Sequence, residues 1–199
     1  VSTFVEIAAQ KNSENPNIIF VLADDMGIGD LGCYGQKKIK TPNIDKLAEK
    51  GVLFTNHYSG STVSAPSRCS LLTGKHTGHA YIRGNKGIKS EEGFFDLHLP
   101  SDEVTVAEIL KRKGYATMCV GKWGLGGPHT TGSPVRKGFD YFFGYLSQGA
   151  AHRYYPEYLY EKSIISLGNY PDTVLFAEVF LEKGDILVEL KQKSIVHSP

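Results

Sequence analysis

The sequence predicts an α/β protein with a mostly parallel sheet and helices on both faces. Three observations carry that prediction. A continuous apolar run, Asn17 to Ala23, reads as a strand buried on both faces. Two later stretches set a capped amphipathic helix beside a short apolar run. The residues with chemistry, Asp24, Asp25 and Lys122, fall at predicted strand ends, where sheets of this kind gather their sites.

The elements follow in order. The strand over residues 17–23 runs straight into Asp24-Asp25. A helix is expected from Thr41 as N-cap and Pro42 at its first position to a left-handed stop at Gly51, with Ile44, Leu47 and Ala48 as its apolar stripe. A strand is expected at Val52 to Phe54. Thr105 and Glu108 form a capping-box pattern for a helix whose buried face is Val106, Ile109 and Leu110 and which ends at Gly114. Ala116 to Val120 should be the next strand, leading into Gly121-Lys122. Residues 174–196 are ambiguous between helix and strand.

Composition narrows the class. The 199 residues are 41% hydrophobic, with 22 Lys+Arg against 21 Asp+Glu, enough to bury a core and too neutral for a nucleic-acid coat or a disordered chain. Cys33, Cys69 and Cys119 are too few and too scattered for a disulfide scaffold. The longest apolar run, Ile18 to Ala23, falls far short of the roughly 20 residues of a membrane-spanning helix. Residues 1–15, opening on Val1, read as an N-terminal arm or leader remnant. The first half implies more strands than the chain supplies, so residues 16–199 read as the N-terminal part of a larger domain.

Asp24-Asp25, with Asp30 close behind, is either an ordinary turn after a strand or a pair of hard oxygen ligands for Ca²⁺ or Mg²⁺. Adjacent carboxylates repel, and a divalent cation relieves that repulsion. The strongest segment is Ser64-Ala65-Pro66-Ser67-Arg68-Cys69-Ser70-Leu71-Leu72-Thr73-Gly74. Pro66 suits a first helical turn and Gly74 a stop. Ser64 then lies at the helix N-terminus, where free amides and the dipole favour an anion. Arg68 follows one turn later and can reach back to the same place. A bare Ser-x-Pro would mean only a serine-capped surface helix; the full pattern says more.

Ser64-x-Pro66-x-Arg68-x-x-x-Leu72-Thr73-Gly74 resembles the sulfatase signature, (Cys or Ser)-x-Pro-x-Arg-x-x-x-Leu-Thr-Gly. Asn17 to Gly32 resembles that family's first strand and metal-binding aspartates. Thr41 to Ala48 resembles its Thr-Pro-Asn-(Ile/Leu)-Asp-x-Leu-Ala helix, and Gly114 through Trp123 a third block. The likeness covers about residues 16 to 160 and fades beyond.

This resemblance implies the alkaline phosphatase/sulfatase-like fold and a division of roles. Ser64 is the residue oxidised to formylglycine by a maturation enzyme. Asp24 and Asp25 bind Ca²⁺ (Mg²⁺ as the alternative), with the modified Ser64 as another ligand. Arg68 holds the formylglycine, and Lys122 contacts both it and the sulfate. His152, in Ala150-Ala151-His152-Arg153-Tyr154-Tyr155-Pro156, either lines the substrate pocket or has a plain loop role. Cys69 follows the arginine and so is not the modified residue. The implied activity is hydrolysis of a sulfate ester, on a glycan or an aromatic alcohol, in the periplasm or outside the cell.

Charge is segregated. Six basic residues and no acidic one lie between Lys50 and Ser90, and again six and none from Ile109 to Phe139, a distribution that would steer an anion. For Lys111 to Lys113, at a helix end, a solvated surface is the better account. His57, His98 and His197 read as structural or surface residues, and His76 and His79 lack a third ligand. Phe139, Tyr141, Phe142, Phe143 and Tyr145 read as core.

Two departures stand against the resemblance. Gly124 occupies the place of a histidine common after Gly-Lys-Trp, and nothing in residues 160–199 matches the family's later Asp-Asn pair or its later lysine. Two rivals follow: a phosphoester or phosphonate hydrolase of the same superfold, and a truncated, non-catalytic anion-binding fragment.

Overall fold

A computed structural model describes residues 4–9, 15–90, 93–152, 158–161 and 164–166. The tail 174–196, His197 and the segment 153–157 lie outside the described residues. The chain divides into two compact units, residues 1–62 and 63–199.

In the first unit, β1 (Phe4–Ala9) pairs antiparallel with β2 (Asn17–Leu22), Phe4 opposite Leu22 and Ala9 opposite Asn17. The strand predicted at 17–23 therefore exists. Its expected burial on both faces does not: Ile18, Phe20 and Val21 are exposed. Two short 3-10 turns, Ile28–Asp30 and Gly32–Tyr34, bracket the buried Leu31.

Helix α1 (Pro42–Lys50) forms as predicted, with Pro42 in its first turn and Ile44, Leu47 and Ala48 half-buried along one side. Three local expectations fail. Thr41 makes no side-chain cap; its hydroxyl donates to Asp45 Oδ1 at 2.9 Å and accepts from Gly32 N at 2.8 Å. Asp45 Oδ1 also accepts from Cys33 N at 2.7 Å, so these two side chains of the Thr-Pro-Asn-Ile-Asp segment brace the turn at Gly32–Tyr34. Gly51 adopts φ −117° rather than a left-handed stop. Val52 to Phe54 form no strand and stay exposed, too short a run to hold a ladder without a partner.

The second unit opens with α2 (Ser64–Thr73). An antiparallel pair follows, β3 (Gly87–Ser90) and β4 (Gly93–Asp96). Helix α3 (Val106–Arg112) carries the predicted capping box: Glu108 N donates to Thr105 Oγ1 at 3.3 Å, and Thr105 N to Glu108 Oε2 at 2.8 Å. Such a cap is worth about 1 kcal/mol. Its buried residue is Ala107, while Val106 and Ile109 face solvent, a shift from the expected stripe.

Strand β5 (Met118–Lys122) begins two residues later than predicted, because Thr117 serves as an anchor. Its amide and hydroxyl both lie 3.0 Å from Asp140 Oδ2. The delay makes Lys122 the last strand residue. Strand β5 runs parallel to β6 (Tyr141–Tyr145), Met118 opposite Tyr141 and Lys122 opposite Tyr145. The short helix α4 (Gln148–Ala151) comes next, then β7 (Leu159–Glu161) and β8 (Ile164–Ser166), both added antiparallel. The parallel pairing expected of the sheet is thus present at β5–β6; the other pairings among the described residues are antiparallel.

The core of this unit joins Ala65 and Cys69 of α2 to Ile82, Leu99, Trp123, Leu125, Phe142 and Leu146. Trp123 meets Phe139 and Phe142 edge-on, and its indole N–H donates to Gly132 O at 2.8 Å. Burying a large aromatic with its polar end satisfied fixes the chain strongly. Lys122 is the residue immediately before it. Of the aromatic run expected in the core, Phe142 is fully buried, whereas the Tyr141 hydroxyl donates to the exposed Glu161. Among the described residues no helix is long and apolar enough to cross a membrane.

Candidate active site

Helix α2 starts where its sequence dictates. Val63 is extended at its N-cap, Pro66 lies in the first turn and Gly74 closes it at φ +66°, a conformation that favours glycine. Ala65, Pro66, Cys69 and Ser70 face inward and are buried. Ser64 and Arg68, one turn apart, are therefore left together at the margin of the core, both half-buried.

Lys122 meets them from the end of β5. Its Nζ donates to Ser64 Oγ at 3.0 Å, and Arg68 Nη1 donates to the Lys122 carbonyl oxygen at 2.8 Å. The three residues singled out from the sequence thus form one linked group. A cation beside the hydroxyl favours negative charge on its oxygen, and Arg68 joins the group through the Lys122 backbone.

Cysteine is not a competing nucleophile. Cys69 is wholly buried and burial raises its thiol pKa. Cys119, on β5, keeps some surface as a residue, yet desolvation pushes its thiol up to about 12, with the Arg68 charge pulling the other way. Both thiols stay protonated near neutrality, which suppresses their reactivity.

Asp24 and Asp25 lie just beyond β2 in the first unit, both exposed. Asp25 adopts φ +57°, the one left-handed non-glycine among the described residues. Such conformations cost energy and gather at ligand sites. Asp30 is used locally: its carboxylate accepts from Gly27 N at 2.8 Å. As donors, two adjacent carboxylates suit a hard cation such as calcium, and they provide only part of the about six to eight oxygens it takes. Among the described residues no group of three or more His, Cys, Asp and Glu could hold a metal.

The remaining candidates separate clearly. His152 is exposed at the end of α4. His76 Nδ1 accepts from Gly78 N at 3.1 Å within its own turn, which ties down one of its two ring nitrogens. Part of the segregated positive charge is engaged locally. Lys75 pairs with Glu103 at 2.6 Å, Lys111 pairs with Asp140, and Lys137 turns inward to donate to the carbonyls of Glu103 and Ser101. Lys122 is hydrogen-bonded to Ser64, and Arg68 to the Lys122 carbonyl.

Two residues escape a reading by sequence. Asn85 Oδ1 accepts from Ala65 N at 3.1 Å, across 20 residues. Gln148, buried at the start of α4, fills the space beside Gly124, where a Cβ would lie 1.7 Å from its Nε2. The missing side chain at position 124 was the available signal: where one residue is absent, another occupies the room.

Comparison with known proteins accords with this geometry. The sulfatase family model matches residues 16–184. The chain is 48% identical over 142 residues to an N-acetylgalactosamine-6-O-sulfatase of Bacteroides thetaiotaomicron, covering 67% of this chain and 27% of that protein. It is 42% identical over 140 residues to human arylsulfatase D, covering 67% and 23%. A solved structure concerned with the metabolism of multiple glycosaminoglycans by Bacteroides thetaiotaomicron matches with a TM-score of 0.61 at 37% identity, covering 81% of this chain and 34% of that one. The chain therefore spans about a quarter of the length of these curated relatives. With its signature helix, its cationic partners and its extent of match in agreement, the chain belongs to the sulfatase family.

Proposed function

We propose that this chain carries the nucleophile-bearing part of a sulfate-ester hydrolase that acts on a sulfated carbohydrate, with Ser64 as the reacting residue. The observation that carries the reading is the Lys122 ammonium 3.0 Å from Ser64 Oγ, with Arg68 Nη1 fixed on the same lysine's carbonyl. A carbohydrate substrate is favoured by the relative that is 48% identical, an N-acetylgalactosamine-6-O-sulfatase.

An unmodified serine hydroxyl is a weak nucleophile unless a base stands beside it. Its partner here is a cation, which stabilises an oxyanion but removes no proton. That mismatch favours maturation of Ser64 to formylglycine by a separate enzyme. Once hydrated, formylglycine supplies two hydroxyls on one carbon: one attacks sulfur as the bond to the substrate's alcohol oxygen breaks, and the other, losing its proton, expels sulfate and restores the aldehyde. Lys122 orients the reacting oxygen and stabilises charge on it and on the sulfuryl group. Arg68 holds the Lys122 backbone in place and adds a second positive charge.

Asp24 and Asp25 would bind Ca²⁺, with Mg²⁺ as the smaller alternative. Bound there, a divalent cation would supply fixed positive charge and Lewis acidity. His152 would contribute to the substrate pocket or to protonation of the leaving group. Periplasmic or secreted placement fits a glycan substrate met outside the cytoplasm.

The test is a comparison of an aryl sulfate with the matching aryl phosphate, using the full-length protein. Sulfate hydrolysis that exceeds phosphate hydrolysis is the expected result. Preference for the phosphate would transfer the same residues to a phosphoester hydrolase.

A further inference from the structure

The helix that carries Ser64 begins without a cap of its own. Val63, at the N-cap position, has no side-chain acceptor, and no side-chain cap hydrogen bond is formed there. Ser64 could have supplied one, but its hydroxyl oxygen is engaged by Lys122. The amide next in line belongs to Ala65, whose burial shields it from solvent. A buried amide needs a partner inside the protein. Asn85 provides it from the exposed loop just before β3, its Oδ1 accepting from Ala65 N at 3.1 Å.

Charge gives this contact a second meaning. Asn and Asp cap helices about equally well, so stability alone would accept either. An aspartate here would place a negative charge one residue from Ser64, against the anion the site is to receive. Position 85 also falls inside the stretch from Lys50 to Ser90 that contains no acidic residue.

We propose that Asn85 is a positioning residue: its neutral amide caps the Ser64 helix from outside. Ser64 is thereby left to Lys122, and the positive end of the helix is left to a substrate anion. The inference rests on the reading of Ser64 as the reacting residue.

Its test uses Asn85→Asp, Asn85→Ser and Asn85→Ala in the full-length protein, beside Ser64→Ala. Asn85→Asp should retain the wild-type Tm and Ala65 amide protection while KM for an aryl sulfate rises roughly tenfold, the scale of one unit charge near an anion at intermediate dielectric. Asn85→Ser, a short neutral acceptor, should keep the wild-type KM. Asn85→Ala should speed hydrogen exchange at Ala65 and lower kcat. An Asn85→Asp protein with unchanged KM would reduce Asn85 to a structural cap and overturn the proposal. Unchanged exchange at Ala65 in Asn85→Ala would overturn the cap itself. Wild-type turnover by Ser64→Ala would instead defeat the reading of Ser64, a failure visible whatever the Asn85 variants do.

Discussion

Lys122 reaches across 58 residues of chain to set its ammonium 3.0 Å from the hydroxyl oxygen of Ser64. The contact is held from both sides. Trp123, buried immediately after the lysine, fixes the strand end, and Arg68, one turn along the serine's helix, holds the Lys122 carbonyl oxygen. If this ammonium stabilises transition-state charge, Lys122→Ala should lower kcat by roughly 10²–10³-fold, as loss of one preorganised donor does. Tm should change little, because the residue is only half-buried. Steady-state kinetics beside a thermal melt separates the two effects. Equal losses in stability and rate would indicate a structural lysine.

Asp25 holds a backbone conformation that glycine adopts without strain. Asp25→Gly should therefore stabilise the protein or leave it unchanged, within about 1 kcal/mol, while weakening calcium binding and turnover. Calcium titration followed by calorimetry reads both. A variant that binds calcium as tightly as the wild type would defeat the proposal that Asp25 is a metal ligand.

How much of this was legible in the sequence depends on the range of each interaction. The signature helix, its glycine stop and the Thr105–Glu108 capping box are local devices, set by residues within a few positions of one another. They were readable for that reason. Burial was not. The stripe at Val106 and Ile109 has helical spacing, yet which side of α3 meets the core depends on what packs beside it, and Ala107 takes that place. Thr117 anchoring to Asp140 delays β5, and no local pattern announces it. Within the candidate site, Ser64, Arg68 and Lys122 were named from their motif, and their hydrogen bonds link them. Asn85 and Gln148 act across long separations and leave no periodic trace.

Gly124 tests the packing beside the lysine. Its φ of +74° and the Gln148 side chain against its Cα both oppose a larger residue. Gly124→Ala should cost about 1–3 kcal/mol in thermal or denaturant unfolding. Adding Gln148→Ala should recover part of that loss, because it relieves the clash and leaves the backbone strain. Strict additivity of the two substitutions would contradict the contact.

Asp140 predicts an acid limb in stability. The Lys111 ammonium, followed by the Thr117 amide, holds its carboxyl below the ordinary carboxylate value. A depressed folded pKa means stabilisation that is present above the unfolded value, near pH 4, and is lost as pH falls through the lower folded value. The effect should be modest, because the pair is well exposed and screened by solvent. Tm measured between pH 6 and 2.5 should fall less steeply in Asp140→Asn than in the wild type. An identical profile would show that the pair carries no net linkage.

The central claim is that Ser64 reacts as formylglycine, through a hydroxyl of its hydrated side chain. Mass measurement of the Ser64 peptide from catalytically active full-length protein tests it most directly. The account predicts a peptide lighter by two hydrogens, with aryl sulfate turnover that rises with the modified fraction and is abolished in Ser64→Ala. Turnover by protein whose Ser64 is entirely unmodified would contradict it.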